Sequence, residues 1–128
     1  MADDALPAEV RGFLARYIES VEQLEILLLV ASNPARAWNV QEVYGVIRSS
    51  EGSVAHRLAS FAREGLLKAG DSQPPTYSLA AVSGDLQAAI SKTAEVYQTR
   101  RVRVIEAIFK SELDPIQGFA NAFKLRKD

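Results

Sequence analysis

Between Ser50 and Arg63 the chain carries Ser50, Ser53, His56, Arg57, Ser60 and Arg63, interleaved with Val54, Leu58 and Phe61. At helical spacing the three apolar residues fall on one face, and Ser53, His56, Arg57, Ser60 and Arg63 point away from it. Such a set of donors and acceptors does the chemistry of contact, offering hydrogen bonds and positive charge to a polar surface. The plain alternative is a solvated helix face. Nothing in the pattern speaks for turnover. There is no glycine-rich phosphate loop, no paired-histidine metal motif and no nucleophile elbow, and no spacing singles out a catalytic pair. With no cysteine and one histidine, thiol chemistry is excluded and few routes to a transition-metal site remain. The sequence therefore predicts a protein that is not an enzyme, with no catalytic residue, no metal and no cofactor.

The elements that must position these residues follow from periodicity and caps. Pro7 suits the first turn of a helix, and Val10, Phe13, Leu14, Tyr17 and Ile18 form its apolar stripe, giving a helix over 8–19. Ser20 with Gln23 forms a capping-box pattern ahead of a second helix over 21–32, which Asn33 and Pro34 end. The nearly all-apolar run Ile26 to Ala31 makes that helix a central strut. After a connector over 35–38, Asn39 with Glu42 at the capping-box position opens a third helix. Gly45 inside it costs about 1 kcal/mol relative to alanine, which suggests a close helix crossing. The fourth helix runs from Ser50 to Glu64, and Gly65 stops it. Leu66 to Ala69 and Thr76 to Leu79 read as strands around a Gly/Pro-rich tip. Ser83 caps a long helix to Ser111, about 40 Å in extent.

Composition bounds the class. The 128 residues have net charge −1, 48% hydrophobic and 24% charged side chains, ordinary for a globular protein with one full core and an extra element. The longest apolar run is far short of the about 20 residues that span a bilayer. Acidic Asp3 and Asp4 stand where a signal peptide needs basic residues, so a cytoplasmic protein without membrane contact is expected. The first 35 residues are net acidic, with Arg11 and Arg16 against six carboxylates. The stretch after Asp85 is net basic.

Helix, turn, the Ser50–Glu64 helix, the Glu64-Gly65-Leu66-Leu67 stop and the hairpin together resemble the winged helix-turn-helix of bacterial transcriptional regulators, over residues 20–81. The flanking helices are similar to those of the MarR and PadR kinds. The resemblance implies a mainly α fold with a small β-hairpin: a winged-helix core over 20–81, an N-terminal helix within 1–19, a long C-terminal helix over 83–111 and an amphipathic tail over 112–128. It implies a DNA-binding transcription regulator, a homodimer on double-stranded DNA, with helix 50–64 in the major groove and half-sites about 34 Å apart. Ser50, Ser53, His56, Arg57 and Ser60 would then meet base edges or phosphate, with Arg57 suited to guanine O6 and N7. Arg48 would touch the flanking backbone, and Lys68 and Gln73 would act from the wing. The wing tip, Asp71 to Pro75, departs from the family pattern, which places a basic residue there.

The long helix carries Leu86, Ile90, Tyr97, Val104 and Ile108, more apolar surface than a compact core covers. These are the candidate dimerisation residues, with helix 1 the cover available within the chain. Arg100, Arg101 and Arg103 are either a phosphate clamp or the ionic partners of an acidic ridge, Glu19, Glu22 and Glu25. Trp38 either covers the gap between the second helix and the wing or stacks on a ligand. Residues 112–128, with Phe119 and Phe123, either fold back or dock on another protein. The alternative function is a winged-helix protein–protein interaction module that binds no DNA. A ligand-responsive regulator is a third reading, with no convergent polar cluster behind it.

Overall fold

The computed structural model describes residues 6–113. Over these residues it resolves into two compact units, 22–90 and the pairing of 6–21 with 91–113. The expected tail with Phe119 and Phe123 lies outside the described residues.

The first unit is built on α2 (Val21–Ala31), whose Leu24, Ile26, Leu27 and Val30 are fully buried. Leu28 and Leu29 are half-buried, so the helix is covered around most of its circumference. The chain then makes a two-residue strand, β1 (Trp38–Asn39), and passes directly into α3 (Val40–Ile47). Asn39 caps that helix as its sequence implies. Its Oδ1 accepts from the Glu42 N–H at 2.8 Å, and Glu42 Oε1 accepts from the Asn39 N–H at 2.9 Å. Helix α4 (Glu51–Arg63) follows and buries Val54, Leu58 and Phe61. It ends in a Schellman motif: the Leu66 N–H reaches Phe61 O at 3.0 Å, the Gly65 N–H reaches Ala62 O at 3.2 Å, and Gly65 sits at φ 85°.

Strands β2 (Leu67–Ala69) and β3 (Thr76–Leu79) close the expected hairpin. β1 adds to its other side, giving a three-stranded antiparallel sheet in the order β1-β3-β2. Trp38 pairs with Tyr77 and Leu67 with Leu79. The two-residue alternation therefore turns Trp38, Leu67 and Tyr77 inward and Lys68 and Ser78 outward.

The second unit contains α1 (Ala8–Tyr17) and α6 (Arg101–Leu113), which pack on each other. α1 buries Val10, Phe13 and Leu14, and α6 buries Val104 and Ile108 one turn apart. Helix α5 (Gly84–Thr99) joins the two units in sequence, with the Leu86 N–H bonded to Ser83 Oγ at 3.2 Å.

Two expectations are corrected here, the unbroken last helix and the role of Gly45, and the candidate dimerisation residues are located. The single long C-terminal helix is two helices, broken at Arg100. Thr99 Oγ1 donates to the Glu95 carbonyl at 3.2 Å, a back-bond that bends helices, and three arginines crowd the following turn. Among the expected dimerisation residues, Ile90, Val104 and Ile108 are buried within the chain at 4%, 0% and 4% exposure, and Leu86 and Tyr97 are half-buried. Among the described side chains, α6 leaves the large apolar Val102 and Phe109 outside, exposed by 67% and 46%. Gly45 marks no close crossing, because a Cβ built on it meets no atom within 4 Å.

Gly45 therefore costs helix stability without a packing reason. Gly45→Ala is expected to stabilise the protein by about 0.5–1 kcal/mol, read as a higher urea midpoint at unchanged slope.

Candidate nucleic-acid interface

The turn between α3 and α4 is three residues long, and each has a defined job. Arg48 closes α3 in the left-handed region, φ 63° and ψ 28°, with its N–H on Tyr44 O at 2.8 Å. Its guanidinium lies 5.8 Å from the Tyr44 ring centroid and the residue is exposed. Glycine would take that conformation without the about 1 kcal/mol that a Cβ costs there. Ser50 is extended and caps α4, its Oγ accepting from the Ser53 N–H at 3.2 Å.

Burial of Val54, Leu58 and Phe61 fixes the rotation of α4. Counting about 100° per residue, Gly52, His56, Ala59 and Arg63 lie opposite the buried line. Gly52, His56 and Arg63 are exposed, and Ala59 and Ser60 are half-buried. Ser53 and Arg57 belong elsewhere, which corrects the expectation that they face outward. Both turn to a carboxylate on the first turn of α2. Glu22 Oε1 accepts from Ser53 Oγ at 2.7 Å and from Arg57 Nε at 3.1 Å, while Oε2 accepts from Ser49 Oγ. The Arg57 and Glu22 side chains keep 24% and 17% of their exposure.

Glu22 also leaves the ridge that it forms with Glu19 and Glu25 in sequence, since its ionic partner is Arg57 of α4. In the 100–103 segment, Arg103 pairs with Glu106 at 3.2 Å and the Arg101 guanidinium lies 5.0 Å from the Tyr97 ring centroid.

The remaining expected residues lie outside α4. Lys68 is exposed on β2, and Gln73 is exposed at the wing tip, where Ser72 Oγ donates to Pro74 O at 3.1 Å. At the start of α3, the Arg36 guanidinium sits 3.6 Å over the Trp38 ring and pairs with Glu42 at 3.5 Å. Trp38 is buried and its Nε1 has no hydrogen-bond partner. Among the described residues no cluster of three His, Asp or Glu side chains could hold a metal ion, and no helix is long and apolar enough to cross a membrane.

Partial burial pushes the Glu22 carboxyl up. The hydrogen bonds from Ser49, Ser53 and Arg57, with the Arg57 charge, outweigh it and hold the pKa below its ordinary 4.5. A depressed carboxylate contributes stability that is complete above its unfolded value and is lost as pH falls through its folded value. Wild type is therefore expected to exceed Glu22→Gln in stability at neutral pH. The gap should close progressively below pH 4.5. Urea unfolding of both proteins over a pH series measures it, and a gap that does not depend on pH removes the ionic account.

No protein-family model matches the chain, and no curated protein does. Solved structures do. MepR, a transcription regulator of the Staphylococcus aureus multidrug efflux pump MepA, is similar at TM-score 0.54 and 12% identity, over 92% of this chain and 85% of MepR. The reduced form of MarR from E. coli gives 0.51 and 11%, over 93% and 84%. A variant of Lactococcus lactis ZitR gives 0.50 and 16%, over 84% and 75%. Identities this low speak to the fold, and on that the three agree: the chain has the winged-helix fold of MarR-type transcription regulators.

Proposed function

We propose that the protein is a DNA-binding transcription regulator that works in the cytoplasm as a homodimer, with α4 in the major groove of double-stranded DNA. The observation that carries this reading is the bare outer face of α4. A 13-residue helix seated by three buried side chains presents Gly52, His56 and Arg63 outward. The likeness in fold to known regulators supports it.

His56 and Arg63 are the side chains best placed for base edges, Arg63 with the forked donors that match guanine. Ser60 flanks them, and Ser50 stands at the helix N-terminus, where phosphate is favoured. Arg48 in the turn, Lys68 on β2 and Gln73 at the wing tip serve as backbone contacts. The conformation of Arg48 adds weight to its role. An exposed arginine in a left-handed position costs stability that glycine would spare, which is reasonable where the guanidinium is needed. For the dimer, the exposed row Val102 and Phe109 on α6, with half-buried Ile105 between them, is the seam this reading assigns.

Fluorescence anisotropy on a random duplex and on the gene's own upstream region, at low and physiological salt, tests the proposal. Salt-sensitive binding with preference for the upstream fragment is the expected result. The absence of binding at low salt from a folded protein would move the reading to a protein partner. Arg63→Ala is expected to cost about 1–3 kcal/mol on the preferred site and to relax sequence choice. Arg48→Gly should raise thermal stability and weaken binding to all sequences alike, a combination that a purely structural Arg48 does not produce. Val102→Asp should yield a folded monomer by sedimentation equilibrium, with looser DNA binding. A dimer that survives this change places the seam elsewhere.

A further inference from the structure

The Glu22 cluster lies beside the proposed reading face, and the DNA-binding role leaves it unused. Ser49, Ser53 and Arg57 follow one another at intervals of four along the turn and α4, and their side chains converge on a single carboxylate. Two hydroxyls and a guanidinium N–H are the donors that a backbone phosphate takes. Here an anion of the protein's own fills their place, reaching across from α2.

We propose that Glu22 is a positioning residue that withholds Arg57 from DNA phosphate and thereby lowers sequence-independent binding. The inference rests on the DNA-binding reading above. Phosphate attraction scales with the number of cations that neutralise phosphates, each steepening the salt dependence by about 0.9. A guanidinium paired at 3.1 Å with an internal carboxylate has its counter-ion already and releases none from the duplex. Of the two basic residues within α4, Arg57 and Arg63, the pairing leaves Arg63 to act on DNA. Contacts to base edges by His56 and Arg63 are unaffected by it. Discrimination, a difference between specific and non-specific affinity, is accordingly sharpened by suppressing the non-specific term.

Glu22→Gln tests this, because the amide keeps the shape and one acceptor oxygen while removing the charge. With folding checked by circular dichroism, the variant is expected to bind a random duplex about three- to fivefold more tightly than wild type at low salt. Its salt dependence should be steeper by about 0.9. The gain on the tightest fragment selected from a random library should be smaller. Arg57→Ala added to Glu22→Gln should cancel the gain, and should cost more there than in the wild-type background.

A second measurement needs no variant at Glu22. In wild type the Arg57 Nε–H nuclear magnetic resonance signal should keep its shift when the duplex is added, while that of Arg63 moves. If folded Glu22→Gln binds no more tightly, or with an unchanged salt slope, or if the Arg57 signal moves on DNA addition, the proposal is overturned while wild-type binding still stands. If wild type binds no duplex at low salt, the DNA-binding reading and this inference fall together.

Discussion

The rotation of α4 about its own axis governs the candidate interface. Three side chains with no exposure, Val54, Leu58 and Phe61, set that angle. Full burial of each is worth about 1.5–3 kcal/mol, well above any single contact on the polar side. A helix can present only the residues that its buried line leaves opposite. The polar composition of α4 therefore does not say which polar groups meet a partner; the seating does. It sends Gly52, His56 and Arg63 to the outside and turns Ser53 and Arg57 toward α2.

The Glu22–Arg57 pair then acts as a second constraint on the same angle. A half-buried ion pair with two further hydrogen bonds to hydroxyls couples α2 to α4 laterally. It contributes less energy than the apolar seat, but it is directional where burial is not. Rolling α4 about its axis would pull both Ser53 and Arg57 off the carboxylate. Electrostatics here reinforces the orientation that the buried line sets.

Local signals carried much of the fold. Asn39 with Glu42, Ser50 ahead of α4, and Gly65 after it each satisfy backbone groups through near neighbours, so they are visible in the sequence and recur in the structure. The hairpin strands are similarly local. What the sequence hid was of two kinds. At the break at Arg100 a threonine hydroxyl bonds the carbonyl of Glu95, a local feature that helical periodicity does not register. The apolar stripe of the last two helices was plain, yet periodicity does not say what covers it. Val104 and Ile108 proved to be buried within the chain, with Val102 and Phe109 left outside. In the candidate site, Glu22 stands 35 residues from Arg57, and no short-range pattern joins them. A partial signal did exist: Arg57 adjoins Leu58 and stands only about 60° from the buried direction, so a strict count of the register already places it on the flank.

Asn39 belongs at once to β1, where it pairs with Thr76, and to α3, which it caps. No residue intervenes to serve as a hinge. β3 is the middle strand of the sheet, so the hairpin is coupled through it to β1 and from there to the first turn of α3. A sideways push on the hairpin tip is therefore passed to α3, the helix ahead of the α3–α4 turn. Hairpin and α3 are thus joined through the sheet with no free link between them, so a change in the set of the hairpin carries into the start of α3.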